Sequence, residues 1–206
     1  MGNSAHNRNP VGSALLRDEL TRAIKKAALK EFADRGYRGF SMEAVAKRAN
    51  VGKAALYRRW TGKDAMIVEV LADRGLQFAN SPDTGSLRQD LIAYLHNTIA
   101  ILRQPLHAKI AAHLYAEINS DSSFGKLARQ RVHPAKRVLA DGLLQRAIAR
   151  GELDKNIDID LAADVINGPL YWRLLVARGE ADQDYFDRLV DFILAGFRAH
   201  PSRGAD

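Results

Sequence analysis

The chain has 206 residues, a formal net charge of +7, 47% hydrophobic and 27% charged residues, and no Cys. That mixture fits one or two globular domains rather than a disordered, collagenous or fibrous chain, and the lack of Cys excludes disulfides, thiolate nucleophiles and Cys-ligated metals. No uninterrupted apolar run approaches the roughly 18 residues of a membrane span, and the Asn-rich start lacks the apolar core of a secretory signal, so the expected location is the cytoplasm.

The charge is unevenly spread. Residues 1–80 hold 15 Lys and Arg against 8 Asp and Glu, while residues 81–206 hold 16 of each. A basic module joined to a neutral one points to an anionic polymer, nucleic acid foremost, as partner of the first. A merely solubilising surface is the alternative.

In chain order, residues 1–14 read as a loose tail. Leu16, Leu20, Ile24, Ala28 and Phe32 then recur four apart, the period of one helix face, and Gly36 stops that helix. Ser41 is the expected N-cap of a helix over 42–49, without a full capping box because position 44 is Ala. Residues 50–52 form a turn, 53–60 a third helix, and Thr61 caps a fourth carrying Ala65, Ile67, Val68, Leu71, Leu76 and Phe78. The stretch 80–85 is the clearest loop and the expected domain boundary. Helical runs follow over 87–102, 108–118, 124–150, 158–177 and 182–198, with a break near Pro105, a possible kink at Pro134, another at Gly168-Pro169 and a stop at Gly151. Residues 200–206 read as a second tail. Strand signals are almost absent, so the expected fold is all-α with about nine helices.

Residues 42–60 carry a helix-turn-helix pattern. Ala46 and Ala49 are small where two helices would cross, and Val45, Val51 and Leu56 are apolar beneath the second. Lys53, Tyr57, Arg58 and Arg59 would then face outward, toward a major groove, and Trp60 belongs to the core.

The run AALKEFADRGYRGFSMEAVAKRANVGKAALYRRWTGKDAMIVEVL strongly resembles the DNA-binding domain of the TetR family of bacterial transcriptional regulators over residues 20–71. GPLYWRLLV, further on, is similar to a segment in the carboxyl-terminal half of many such proteins. The resemblance implies a helix-turn-helix domain over 15–62, a linking helix over 63–80 and an effector-binding and dimerisation domain over 81–199. It further implies that Ser41 caps the second helix and touches a phosphate, and that Arg48, Arg59 and Lys63 approach the DNA backbone. Lys53 would reach bases or a phosphate, and Tyr57 would bond a phosphate. The family's usual hydroxyl residues in the recognition helix are here Gly52 and Ala55; the methyls of Ala54 and Ala55 can still touch thymine. Arg58 completes the expected DNA-contacting set.

A helix-turn-helix that reads two half-sites needs a second copy of itself. Leu161, Val165, Ile166, Leu170 and Leu174 on one late helix, with Phe186, Leu189, Phe192, Ile193 and Phe197 on the last, are apolar enough to pair in a four-helix interface; the alternative is that they form only the chain's own core. Tyr94, Ile101, Leu102, Ile110, His113, Leu114, Phe124 and Trp172 are the expected lining of a pocket for a small, largely apolar effector. His96, His107, His113 and His133 lack the i, i+4 spacing of two ligands on one helical turn, so neither metal nor cofactor is expected. The function expected is a ligand-released repressor binding double-stranded DNA as a homodimer. An activator or ligand-independent regulator is the alternative; a protein-interaction module or an enzyme is more distant, since no nucleotide-binding, metalloprotease or nucleophile-elbow motif is present.

Overall fold

The computed structural model describes residues 11–77 and 82–199, and these are all α-helical apart from turns and one π-helical segment. The tails over 1–10 and 200–206, residues 80 and 81 of the loop, and Phe78 lie outside the described residues, as do the side chains of Leu16, Leu76, His133 and Pro134.

The first helix, α1 (Val11–Gly39), starts inside the stretch expected to be a tail. Ile24, Ala28 and Phe32 occupy its buried side, as the four-residue period requires. Gly36 breaks it with φ 64 and ψ -174, a left-handed conformation that costs glycine least. The chain then turns into α2 (Met42–Arg48), whose N-cap Ser41 accepts a hydrogen bond from Ala44 N at 3.3 Å. Asn50, at φ 53, carries the turn to α3 (Lys53–Tyr57). This helix ends three residues earlier than the periodicity suggests. Helix α4 (Lys63–Gln77) follows; its first turn is closed by Met66 N donating to Gly62 O at 3.2 Å, so the cap position is Gly62 rather than Thr61.

Five further α-helices complete the described chain: α5 (Leu87–Leu102), α6 (Pro105–Ile118), α7 (Ser123–Ala149), α8 (Ile159–Tyr171) and α9 (Gln183–Ala199). Pro105 opens α6 at its first turn, where the missing N–H has no intrahelical partner to lose. Helix α7 is continuous through position 134. Pro169 lies within α8, and a π-helical turn (Trp172–Val176) follows at once, with Ala177 N donating to Trp172 O at 2.9 Å. The expected interruption therefore takes the form of a widened turn just after the proline.

Two hydrophobic cores form. One joins α1–α4, with Phe32, Leu56, Trp60 and Met66 fully buried, to Ile110, Leu114, Phe124, Ala128 and Val132 of α6 and α7. The other joins α5, the later part of α7, α8 and α9. The helix-turn-helix is thus completed by side chains that follow the expected domain boundary.

One buried charge holds the loop before α5. Asp90 is fully buried and accepts hydrogen bonds from Thr84 N at 2.6 Å, Thr84 Oγ1 at 2.7 Å and Arg150 Nη2 at 2.8 Å. Burial alone would raise its pKa, but the Thr84 donors and Arg150 outweigh that and hold the carboxyl below its ordinary value. Asp90→Asn is expected to cost about 3 kcal/mol at neutral pH, because it breaks a buried pair. A depressed carboxyl stabilises above its unfolded pKa and loses that contribution as pH falls through its folded pKa. The gap between variant and wild type in urea unfolding should therefore close below about pH 4.

Candidate nucleic-acid interface

Helices α2 and α3 cross over small and apolar side chains. Val45, Ala46 and Leu56 are buried, and Val51 N donates to Ala46 O at 3.0 Å across the turn. This packing turns the opposite side of α3 to solvent. Lys53, Ala54, Tyr57 and Arg58 are exposed on it, Tyr57 at 52%, while Ala55 is half-buried beneath. Tyr57 is therefore not a core aromatic. Neither Tyr57 nor Arg58 pairs with another described residue, and Lys47, on the last turn of α2, is likewise exposed and unengaged. Sequence reasoning passed over Lys47, although its place in the last turn of α2 was legible.

The other expected contacts are held from within. Lys53 Nζ lies 3.2 Å from Glu43, in an exposed pair. A backbone N–H, then Lys53 and Ser41, hold the Glu43 carboxyl below its ordinary value. Arg48 turns back onto α1, 3.3 Å from Glu31 and 3.6 Å from Asp34. Glu31 is buried, on the same side of α1 as Ala27 and Ala28, so Arg48 neutralises an acid that would otherwise sit uncompensated in the core. A lone acid on that apolar stripe was the available signal. Arg59 Nη1 donates to Thr21 Oγ1 at 2.5 Å, and its guanidinium lies 4.9 Å above the Trp60 ring. Trp60 Nε1 in turn donates to Glu69 at 2.8 Å. Lys63 Nζ donates to Tyr37 O at 3.2 Å and sits 4.2 Å over the Tyr37 ring.

Lys63 belongs to a clasp joining three helices. Its neighbour Asp64 accepts from Tyr37 Oη of α1 at 3.0 Å and from Ser123 Oγ, the first residue of α7, at 2.8 Å. Burial, then the bond to Asp64, pushes the Tyr37 hydroxyl above its ordinary pKa, so it stays a donor. The Tyr37 ring stacks on Phe124 at 4.5 Å. One residue before Tyr37, a Cβ on Gly36 would come within 2.8 Å of His113 Nδ1. Helices α6 and α7 therefore bear directly on the segment that carries Lys63.

The residues expected to line one pocket fall in different places. Ile110, Leu114 and Phe124 belong to the first core, His113 packs against Gly36 and Phe32, and Tyr94 lies in the second core. Ile101 and Leu102 are half-buried at the end of α5, and Trp172 is 65% exposed. Helical position marked them as inward-facing but could not say toward which neighbour.

The residues expected at a dimer interface also divide. Leu161, Val165 and Phe192 are exposed, and Leu174, Leu189 and Phe197 are half-buried. Ile166, Leu170, Phe186 and Ile193 are buried in the chain's own second core, which removes them from any surface a partner could touch. Trp172 and Val176 join the exposed group.

Among the described residues no cluster of three or more His, Asp or Glu side chains is placed to hold a metal ion, and no helix is long and apolar enough to cross a membrane.

Two family models match the chain. Residues 24–70 match the tetR family of bacterial regulatory proteins, and residues 81–193 match a tetracyclin repressor-like carboxyl-terminal domain. An uncharacterized HTH-type transcriptional regulator of Bacillus subtilis is 32% identical over 89% of this chain and 92% of its own length. The DNA-binding transcriptional repressor TetR of Mycobacteroides abscessus is 33% identical over 84% of this chain and 90% of its own. The crystal structure of the TetR family regulator SCO0332 superposes with a TM-score of 0.71 at 26% identity, covering 88% of this chain and 97% of that one.

The contrast between engaged and free cations is measurable. Arg48→Ala leaves Glu31 buried without its guanidinium and is expected to destabilise the fold by about 2 kcal/mol. Arg58→Ala removes an exposed side chain that has no partner among the described residues and should stay within about 0.5 kcal/mol of wild type. Urea unfolding of both variants checks the difference.

Proposed function

The chain belongs to the TetR family of bacterial transcriptional regulators, and from that premise we propose that it is a repressor that grips a palindromic operator as a homodimer and releases it when a small, largely apolar effector binds. The observation that carries the DNA reading is the exposed face of α3, where Lys53, Ala54, Tyr57 and Arg58 stand clear of the fold. In this reading α3 lies in the major groove. Tyr57 and Arg58 reach the duplex directly, with Lys47 beside them, and the methyl groups of Ala54 and Ala55 meet thymine. Ser41, Arg59 and Lys63 face the phosphates at the edges of this surface. Arg48 acts first through Glu31, by holding α2 on α1.

Two half-sites are read together when the two α3 helices sit about 34–36 Å apart or a multiple of that. The exposed stripe of Leu161, Val165, Trp172 and Val176, with Phe192 beside it, supports α8 and α9 as the pairing surface. The residues 15–62, 63–80 and 81–199 then divide into reading, linking and sensing parts, with the sensing part also completing the core of the first. An effector among the later helices displaces α6 or α7. The His113–Gly36 contact and the Ser123–Asp64 hydrogen bond pass that shift to α1 and α4, which changes the spacing of the two reading heads. Such coupling requires the effector to favour one arrangement over the other.

Arg58→Ala should weaken binding to all duplex sequences alike and lower the log–log salt slope by about 1, the loss of one phosphate contact. Fluorescence anisotropy with labelled upstream DNA at several salt concentrations reads both; a normal slope with unchanged affinity removes Arg58 from the interface. Separately, Trp172→Glu combined with Phe192→Arg places charge on the apolar stripe. Sedimentation velocity should show a folded monomer, and operator affinity should fall by at least 100-fold; an intact dimer would move the interface elsewhere.

A further inference from the structure

We infer that Tyr94, Tyr115, Asn167 and Tyr171, where α5, α6 and α8 meet, are the groups that recognise the effector, and that this effector is a neutral, planar molecule bearing a hydroxyl or carbonyl group. This rests on the reading of the chain as a ligand-responsive regulator and specifies what it senses.

The four side chains come from three helices and form two pairs, Tyr94 with Asn167 and Tyr115 with Tyr171. Tyr94 Oη donates to Asn167 Oδ1 at 2.6 Å, and Asn167 Nδ2 donates to Ala163 O at 2.8 Å, which fixes the direction of the amide. Thr98 Oγ1 donates to Tyr94 O at 2.9 Å, one turn along α5. The rings of Tyr115 and Tyr171 meet edge to face, 5.2 Å between centroids, and their hydroxyls share a hydrogen bond. Tyr94 lies in the second core beside Leu91, Leu95, Ile166 and Leu170. Tyr115, Asn167 and Tyr171 are half-buried beside it; at the buried Tyr94 position a core that had only to pack would place Phe or Leu, since a buried hydroxyl must be matched by a partner. Here the matched partners are one another: an incoming hydroxyl can take the place of the Tyr94–Asn167 bond, accepting from the phenol and donating to the amide oxygen, and an incoming carbonyl can accept from a phenol.

Charge selects among ligands. Burial pushes all three phenols well above the ordinary tyrosine range, so they remain neutral donors. A ligand that had to stay ionised among them would be desolvated at high cost. The paired rings of Tyr115 and Tyr171 offer faces and edges to a flat aromatic body, and Asn167 and Tyr94 offer an acceptor and a donor to its polar substituent.

The backbone is adapted for movement at the same place. Tyr171 ends α8 two residues after Pro169, and the π-helical turn begins at Trp172. Proline withholds one hydrogen bond from the ladder, and π turns inside helices mark sites where a helix is widened for function. Tyr115 is also close to the junction with the DNA-reading part. Two residues before it, His113 packs on Gly36; two residues after it, Glu117 lies 3.8 Å from Arg38. A ligand that separates Tyr115 from Tyr171 moves α6 against α1.

The test uses the full chain and two probes of like shape, uncharged 2-naphthol and anionic 2-naphthoate. Binding is followed by probe fluorescence, and release of labelled upstream DNA by anisotropy. Wild type is expected to bind 2-naphthol saturably, one per protomer, and at least tenfold more tightly than 2-naphthoate. Tyr115→Phe and Tyr94→Phe should each weaken 2-naphthol about tenfold, whereas Tyr185→Phe, on α9 outside the cluster, should not; thermal melts verify that the variants fold, and either cluster variant suffices if the other does not. Absent or non-saturable 2-naphthol binding, equal affinity for the two probes, or equal affinity in cluster and control variants overturns the site. If 2-naphthol binds as expected but the DNA stays bound, the recognition site stands and ligand-driven release fails. If both probes release DNA equally from every variant, release stands and this site fails.

Discussion

The buried ring of Phe32 is where the two parts of the molecule close on each other. It is 1% exposed and lies between His113 at 6.0 Å and Phe124 at 6.1 Å. Phe32 belongs to the first helix, but its neighbours come from α6 and α7. The DNA-reading unit therefore has no complete core without the helices beyond it. Gly36 makes this closure possible, since a side chain there would meet the His113 ring. Close-packed contacts of this kind do not stretch; they shift between discrete arrangements. Helix α6 bears on α1 through His113, and α7 bears on α1 and α4 through Phe124 and Ser123.

The basic charge of the first part serves two ends. Some of it is structural: Arg48 compensates the buried Glu31, and Lys25 bridges α1 to Asp73 and Glu69 of α4. Burial works against the charged Lys25, but the two carboxylates more than offset it and raise its pKa. The remainder, including Arg58 and Lys47, stays at the surface. Lys63 stands between the two, held on Tyr37 at the point where α1, α4 and α7 meet. That position ties Lys63 to helices far along the chain.

The helix-turn-helix was readable because its signals are local. Ser41 as cap, small Ala46 at the crossing, Leu56 beneath and Tyr57 outward all follow from positions a few residues apart. The cations of the same segment were less readable. Arg48, Arg59 and Lys63 have the composition of phosphate contacts, yet their partners Glu31, Thr21 and Tyr37 lie on another helix. Lys53 and Arg58 differ in the same way, one paired with Glu43 and one without a partner among the described residues. A long flexible side chain reaches whatever the tertiary structure brings near it.

By itself the sequence determined an all-α chain with a basic helix-turn-helix at its start, because helix hydrogen bonds join residues four apart and an apolar stripe repeats on the same period. Only the tertiary structure decided that Leu114 and Phe124 complete the first core, that Ile166 is interior while Leu161 is exterior, and that Tyr94 meets Asn167 and Tyr115 meets Tyr171. Periodicity tells which side of a helix is apolar. How helices cross, and therefore which of those sides touch each other and which are left for a partner, depends on side-chain shapes from segments distant in the chain.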